Sequence, residues 1–185
     1  MKRVVCVFLM LLTLTGCSGE TEEMNRCMAL RERLLVNGCS FTGKVTADFG
    51  DKIFSFSMQC TADNRGTFRF SVITPEEISG IGGTIQAGKG KLAYEDTILA
   101  FPMLAEGELT PVSAPWLLIS SLRGGYLASC GTDGDGLRVT VHDSYEEDAL
   151  TLDVWLDEDD CPIYAEIFWH GRRVLSMEIK DFRFV

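Results

Sequence analysis

The sequence predicts an α+β fold, a curled antiparallel half-barrel of about 10–11 strands that is covered by an N-terminal helix and a short mid-chain helix. Two patterns lead to this prediction. A helical period over residues 21–36 changes after Cys39 to apolar and polar alternation with a period of two. Residues 116–122 then interrupt the alternation with a mostly apolar run. Because an open sheet of about ten strands tends to curl, its apolar face can hold both helices.

The chain begins with the three parts of an export signal. Met1-Lys2-Arg3 is basic, residues 4–14 carry no charge, and Leu14-Thr15-Gly16-Cys17 follows. The uncharged run is shorter than the roughly 20 residues that span a membrane, which favours a cleaved signal peptide, residues 1–16. Leu14-Thr15-Gly16-Cys17 resembles the lipobox of bacterial lipoproteins, which implies acylation of Cys17 and a lipid anchor on the extracytoplasmic face of the cell membrane. An ordinary signal peptide that contains Cys17 is the alternative.

The composition of the mature chain limits its partners. After cleavage, 15 basic and 27 acidic residues remain, so the formal charge is −12. This balance argues against nucleic acid and anionic lipid headgroups, which bind basic patches. The remaining length suits a single domain. We expect that domain over residues 24–185, behind a lipidated polar tether at residues 17–23.

Five cysteines remain in the mature chain besides Cys17: Cys27, Cys39, Cys60, Cys130 and Cys161. An exported protein can keep disulfides, but the sequence alone leaves the pairing open. Structural disulfides are the first interpretation and free buried cysteines the second. The chain has no Cys-x-x-Cys pair and few histidines, which argues against a zinc site or a redox centre.

Both predicted helices are bounded by residues that start or stop helices. The first, residues 21–36, has apolar residues at helical spacing and ends at Asn37-Gly38. The second starts at Ser113-Ala114-Pro115 and ends at Gly124-Gly125. Because the second helix is so apolar, we expect it to be covered on most sides.

The first two strands that the alternation predicts are rich in phenylalanine. Every second residue is apolar across residues 53–61 and residues 67–73. Asp63-Asn64-Arg65-Gly66 between them favours a hairpin turn. One face of each strand is therefore apolar, with Phe54, Phe56, Met58 and Cys60 on the first and Phe68, Phe70 and Val72 on the second.

Shorter patterns of the same kind complete the predicted sheet. They cover residues 83–87, 91–94, 98–101, 126–130, 137–145, 149–156, 162–169 and 173–184. Asp133-Gly134-Asp135-Gly136 is similar to the start of a calcium loop, but Ser144 stands where an EF-hand needs glutamate, so a turn is the better interpretation. Asp157-Glu158-Asp159-Asp160 favours a solvated hairpin loop over a weak calcium site.

The order of these elements resembles the LolA/LolB-like lipoprotein-localisation fold of bacterial lipoproteins. The matching residues are Gly88-Lys89-Gly90-Lys91-Leu92-Ala93-Tyr94 after Pro75-Glu76-Glu77-Ile78-Ser79-Gly80-Ile81, then Ser113-Ala114-Pro115-Trp116-Leu117-Leu118, and Phe182-Arg183-Phe184. Members of this family have an incomplete β-barrel closed by helices, and their hydrophobic cavity accepts acyl chains or other lipids. The anchor at Cys17 is more similar to the fixed members than to the soluble shuttles.

The resemblance implies which residues would contact a ligand: Phe54, Phe56, Met58, Phe68 and Phe70 on the sheet, and Trp116, Leu117 and Ile119 on the mid-chain helix as a lid. A dry core built from the same residues is the alternative. The leading hypothesis is a membrane-anchored lipoprotein that binds a lipid or other hydrophobic ligand without catalysis and without a cofactor or metal. A protein-interaction module that docks or regulates a cell-envelope enzyme is the alternative function.

Catalysis has little support in the sequence. The two histidines, His142 and His170, lie on the polar side of a strand and in a predicted turn. There is no Gly-x-Ser-x-Gly motif and no cysteine and histidine signature, which argues against a nucleophilic hydrolase. We therefore predict that the protein is not an enzyme.

Overall fold

A computed structural model describes residues 19–86, 89–93 and 109–185, with side chains for residues 22–86 and 109–185. The helices and strands of the described residues are α1 (Gly19–Val36), β1 (Cys39–Asp48), β2 (Ile53–Ala62), β3 (Thr67–Thr74), β4 (Gly82–Gln86), β5 (Lys89–Ala93), α2 (Ala114–Gly124), β6 (Tyr126–Asp133), β7 (Gly136–His142), β8 (Thr151–Leu156), β9 (Pro162–Trp169) and β10 (Arg172–Phe184). Short 3-10 turns lie at Glu76–Ile78 and Pro111–Ser113.

The described strands form one antiparallel sheet in the order β5-β4-β3-β2-β1-β10-β9-β8-β7-β6. The first and the last strand in sequence meet at its centre, where Cys39 pairs with Phe184 and Ala47 pairs with Leu175. The sheet is curled and does not close, since β5 and β6 are its edges in the described part of the chain. The predicted α+β half-barrel with two helices is therefore confirmed.

The two ends of the sheet differ. The β2–β3, β6–β7 and β8–β9 turns and the C-terminus lie at one end, which we call the helix-capped end because α1 crosses it. The β1–β2 and β9–β10 turns and the β7–β8 connection lie at the other, the open end. This division positions the two cavities described below.

Central strand β1 is missing from the sequence prediction. Its apolar alternation is interrupted at Gly43, which lies on the same face as Phe41 and Val45. A Cβ at Gly43 would lie 3.1 Å from Sδ of Met177, so the methionine side chain fills the space that a larger residue would take. The predicted strand at residues 98–101 lies outside the described residues.

Several predicted boundaries also shift. β6 continues to Asp133 instead of residue 130, and β7 ends at His142 instead of residue 145. The strand β7 stops there because Asp143 accepts a hydrogen bond through Oδ1 from the Leu150 backbone amide at 2.8 Å, which closes a loop. Helix α1 begins at Gly19, so the residues from Gly19 onwards in the predicted tether are helical. The carboxylates of Glu22 and Glu23 suit the positive end of a helix.

The core fills the space between the concave face of the sheet and the two helices. Leu30 and Leu34 of α1 and Leu118 of α2 are at most 2% exposed, as are Met58 and Leu175 of the sheet. Helix α2 buries its apolar residues on this core, as its composition predicted. The two helices therefore pack as a fixed layer on the concave face.

Paired arginines hold the two helices together. Arg31 of α1 donates hydrogen bonds to the carbonyls of Leu122 and Gly125, both at 2.8 Å, at the end of α2. Arg123 of α2 donates to the Leu34 carbonyl at 2.9 Å near the end of α1. The last carbonyls of a helix lack partners within the helix, and cations near them are stabilising. Burial lowers the pKa of Arg31 from its ordinary value.

A disulfide joins Cys27 of α1 to Cys130 of the edge strand β6, across 103 residues of sequence. This is one of the pairings that the sequence left open. Cys39, Cys60 and Cys161 are free. Burial raises the pKa of the Cys39 thiol to about 11 and also raises the pKa of Cys60, so both buried thiols stay protonated at neutral pH.

Candidate functional site

Most of the predicted ligand-contacting residues belong to the packed core. Six of the eight are at most 6% exposed: Phe56, Met58, Phe68, Phe70, Leu117 and Ile119. Phe54 is 48% exposed near the open end, where its ring packs edgewise on Phe49 at 5.6 Å. Trp116 is half-buried on α2. Side chains thus fill the middle of the concave face, and among the described residues two spaces lie on either side of α2.

The first of these spaces, the apolar groove, has a volume of about 310 Å³. It lies between the end of α1, the β2–β3 hairpin and α2 at the helix-capped end. Its lining residues are Leu35, Ala62, Gly66, Thr67, Phe68, Trp116, Ile119, Ser120, Arg123 and Gly124. This volume is at the lower end of the roughly 300–1,000 Å³ range of small-molecule sites. Three predicted residues, Phe68, Trp116 and Ile119, are therefore brought together here.

The β2–β3 hairpin is fixed by two side chains of its turn. Oδ1 of Asp63 accepts hydrogen bonds from the amides of Arg65 at 2.9 Å and Thr67 at 2.8 Å. The backbone hydrogen bond with Thr67 is the main cause that lowers the pKa of Asp63. Asn64 donates through Nδ2 to the Val36 carbonyl at 3.2 Å. One wall of the apolar groove is therefore held at a fixed distance from the end of α1.

The second space, the acidic-rimmed cavity, has a volume of about 470 Å³ and lies on the other side of α2, toward the open end. Its lining residues are Leu109, Ser113, Trp116, Leu117, Ser120, Gly124, Gly125, Asp143, Ser144, Glu146, Asp148, Ala149, Leu150 and Trp169. Acidic residues of the β7–β8 connection, Asp143, Glu146 and Asp148, line it together with the apolar residues Leu150 and Trp169. Trp116, Ser120 and Gly124 line both spaces.

Sequence reasoning missed most of the residues around these two spaces. Leu35, Ala62 and Arg123 line the apolar groove from three separate elements. Asp143 and Trp169 do the same in the acidic-rimmed cavity. Leu35 gave no separate signal in the sequence, because the helical pattern places it on the apolar face of the helix with Met24 and Met28.

The convex face carries a row of aromatic and charged side chains. We call Arg138, Asp153, Trp155, Tyr164, Glu166 and Arg173 the convex patch. Arg138 donates to Asp153 at 2.6 Å and lies over the Trp155 ring at 5.0 Å. Trp155 also packs on Tyr164, with 5.3 Å between the ring centroids.

Two carboxylates lie side by side within the convex patch. Asp153 and Glu166 pair across β8 and β9, which would be unfavourable for bare charges. Each has its own arginine: Arg138 pairs with Asp153, and Arg173 pairs with Glu166. Tyr164 also donates to Glu166 at 3.1 Å. The cations balance the carboxylates, so the patch is ordered and has no excess of either charge.

The histidines have local partners. Nδ1 of His142 lies 3.1 Å from the Thr151 hydroxyl, and its ring stacks on Tyr126. His170 has a positive φ of 48° in the β9–β10 turn. Over residues 19–86, 89–93 and 109–185, no group of three or more His, Cys, Asp or Glu residues is arranged to hold a metal ion.

Neither α1 nor α2, the helices of the described residues, combines the length and the apolar character needed to cross a bilayer.

Three solved structures illustrate what the fold is similar to. A LolA superfamily protein from Nitrosomonas europaea is 6% identical, with 85% of this chain and 92% of that chain covered and a TM-score of 0.45. A domain assigned to outer membrane lipoprotein sorting from Vibrio parahaemolyticus is 10% identical, with 90% and 93% covered and a TM-score of 0.40. A chain of the MucA/MucB complex of Pseudomonas aeruginosa is 11% identical, with 89% and 56% covered and a TM-score of 0.42.

No protein-family model matches the sequence. No curated protein matches it either. The half-barrel that the sequence resemblance implied is established by the strand order of the molecule itself.

Proposed function

We propose that this chain is a cell-envelope lipoprotein, anchored through Cys17 on the extracytoplasmic face of the membrane, that binds an acyl chain or similar apolar group in the apolar groove without catalysis. The apolar groove is the observation that carries this proposal. Leu35 is 53% exposed at its edge, while Phe68 and Ile119 behind it are 2% exposed. An apolar ligand would cover the exposed part and rest on the buried part.

The residues around the groove favour an apolar chain with an anionic head. Burial of apolar surface contributes roughly 25 cal/mol per Å², so about 200 Å² buried on a ligand contributes about 5 kcal/mol. Arg123 is the charged residue of the lining, and its guanidinium donates hydrogen bonds to the carbonyls of Leu34 at 2.9 Å and Asn37 at 3.4 Å. A fatty acid matches both features, because its carboxylate can pair with Arg123 while its chain contacts Phe68 and Ile119.

The size of the groove limits the ligand. Phe56, Met58 and Phe70 line neither of the two spaces and are at most 5% exposed, which favours a core role for them over contact with the ligand. Arg31 and Arg123 join α2 to α1 through hydrogen bonds, which supports α2 as a fixed wall of the proposed site over the lid that the resemblance implied. One acyl chain, or part of one, fits this description better than a lipid with several chains.

The test uses the mature chain with Cys17→Ser and a fluorescent fatty acid. We expect this protein to take up the fatty acid. Leu35→Glu should lower the affinity for the fatty acid at least several-fold, because a carboxylate at the groove edge places a charge against the apolar chain and repels the carboxylate of the ligand. Met28→Glu is the matched control: Met28 is 48% exposed on the same helix and does not line the groove. Absence of uptake, or equal loss in both variants, would contradict the proposal.

A second candidate function is docking of an envelope protein on the convex patch. Trp, Tyr and Arg are the residue types that dominate binding energy at protein interfaces, and the patch combines them with paired charges on an exposed sheet face. A stoichiometric partner that is lost with Trp155→Ala and kept with Trp116→Ala would favour this candidate. A partner that is unaffected by Trp155→Ala would count against it.

A further inference from the structure

The position of α1 relative to the predicted anchor restricts how the domain can sit on a membrane. Helix α1 begins at Gly19, two residues after Cys17. With so short a connection, an acyl group on Cys17 holds the start of α1 at the bilayer surface. The helix has 18 residues and extends about 27 Å at 1.5 Å per residue. Its other end can therefore lie either on the membrane or well away from it.

Helix α1 is fixed to the domain along its length. The Cys27 disulfide attaches it to β6, and Arg26 pairs with Asp160 of the β8–β9 turn at 2.6 Å. Farther along, the guanidinium of Arg33 lies 4.0 Å from the centroid of the Phe184 ring at the end of β10. The helix thus crosses the strand ends as part of the folded body, so its orientation on the membrane sets that of the whole domain.

Exposed apolar side chains gather on the helix-capped end. We call Met28, Leu35, Val36 and Val185 the apolar end patch; their exposed fractions are 48%, 53%, 63% and 71%. Val185 belongs beside the end of α1 because its backbone exchanges hydrogen bonds of 3.0 and 2.9 Å with Gly38. Apolar side chains grouped in this way on a surface typically mark a contact with a partner or a membrane.

Charge does not distinguish the two ends of α1. The carboxylates of Glu22, Glu23 and the β8–β9 turn lie near its start. Near its end, Arg33 adjoins Glu32 in the sequence and donates to the Asp159 carbonyl at 3.2 Å. The exposed apolar side chains, and not the local charge, therefore make the end of α1 the part of this acidic chain that suits a lipid interface.

We propose that the helix-capped end docks on the same leaflet that holds the acyl chains of Cys17, with the apolar end patch in contact with the lipid interface. This inference rests on the lipid anchor of the proposed function and deepens it. Leu35 belongs both to the apolar end patch and to the lining of the apolar groove. The groove therefore opens at the membrane surface, and its acyl ligand comes from the leaflet beneath it.

The first test locates the helix-capped end by fluorescence. The acylated mature chain with Cys161→Ser carries a fluorophore through Val36→Cys, and a control carries it through Ile53→Cys near the open end; the buried Cys39 and Cys60 thiols are protected. Both are reconstituted in phosphatidylcholine vesicles that contain a nitroxide-labelled lipid. We expect several-fold stronger quenching at position 36 than at position 53. Equal quenching at the two positions, or stronger quenching at position 53, would overturn the inference.

The second test separates docking from ligand binding. Val36 lies in the apolar end patch but does not line the groove. Val36→Glu should slow transfer of a fluorescent fatty acid from vesicles to the acylated protein several-fold and leave the affinity of the Cys17→Ser protein in solution unchanged. Unchanged transfer overturns the docking inference while the groove stands. If wild-type protein takes up no fatty acid in solution, the proposed ligand is wrong, and the quenching experiment still decides the orientation. If the measured mass of the mature protein shows no acyl chains, the protein has no lipid anchor, and this result would overturn the inference.

Discussion

The two spaces beside α2 share one helix surface and differ in the wall that faces it. Trp116, Ser120 and Gly124 line both of them. Across from this surface, the apolar groove has Leu35 and Phe68, whereas the acidic-rimmed cavity has the carboxylates of the β7–β8 connection. The larger of the two spaces is therefore the less suitable for an apolar ligand. Chemistry of the facing wall, and not volume, decides which space can accept an acyl chain.

Removal of the disulfide should have the largest effect. The disulfide holds α1, which lines the apolar groove but not the acidic-rimmed cavity. Closing a loop of about 100 residues is worth roughly 4.7 kcal/mol in the chain-entropy model, and Cys27 and Cys130 are 103 residues apart. We expect the Cys27→Ser, Cys130→Ser double variant to lose about 4 kcal/mol of unfolding free energy in urea. Its fatty-acid uptake should fall as well. The Cys161→Ser control should stay within about 0.5 kcal/mol of wild type.

A matched pair of core truncations should sharpen the comparison between the two spaces. Ile119 lines only the apolar groove and Leu150 only the acidic-rimmed cavity, and both are at most 5% exposed. Replacement of either by alanine should cost about 3 kcal/mol of unfolding free energy. Only Ile119→Ala should also change the affinity for the fatty acid. Equal changes in affinity would show that the ligand does not distinguish the two spaces.

A smaller and pH-dependent effect is expected at the hairpin wall of the groove. Because hydrogen bonds lower the pKa of Asp63 in the folded protein, this carboxylate stabilises the fold above its unfolded pKa of about 4. The contribution is lost as the pH falls through the folded pKa. Asp63→Ala should therefore cost about 1 kcal/mol at pH 7. The difference from wild type should shrink in urea unfolding below about pH 4; a constant difference would contradict the role of the charge.

The smallest expected effect concerns the reactivity of the free cysteine thiols. It tests whether packed side chains separate the two spaces. Cys39 and Cys60 are 0% exposed on the concave face, and burial raises the pKa of Cys39 to about 11. Cys161 is partly exposed. Alkylation at neutral pH followed by mass spectrometry should modify Cys161 first and leave the other two until the protein unfolds. Early modification of Cys60 would indicate a solvent-filled concave face.

The alternation of apolar residues predicted the faces of the strands but not their surroundings. Phe54 and Phe56 have the same place in the pattern, yet they are 48% and 5% exposed. The difference arises because Phe54 lies near the open end of β2. Periodicity reports the side of a strand and carries no information on which part of that side a helix covers.

The apolar groove itself could be predicted only in part. Phe68, Trp116 and Ile119 were predicted from the resemblance, while Leu35 and Arg123 came only from the structure. A groove between three elements depends on how α1 lies across the strand ends. That placement depends on the Cys27–Cys130 disulfide and on the hydrogen bonds that Arg31 and Arg123 each donate to the other helix. Local spacing in the sequence does not show which partners these residues take.

Nuclear magnetic resonance of the labelled mature chain with Cys17→Ser, titrated with a spin-labelled fatty acid, tests the central claim most directly. If the apolar groove is the binding site, the amides of Ala62, Thr67 and Ile119 broaden first and those of Ser144 and Ala149 keep their intensity. Broadening at Ser144 and Ala149 instead, or no broadening at a saturating ligand concentration, would contradict the account.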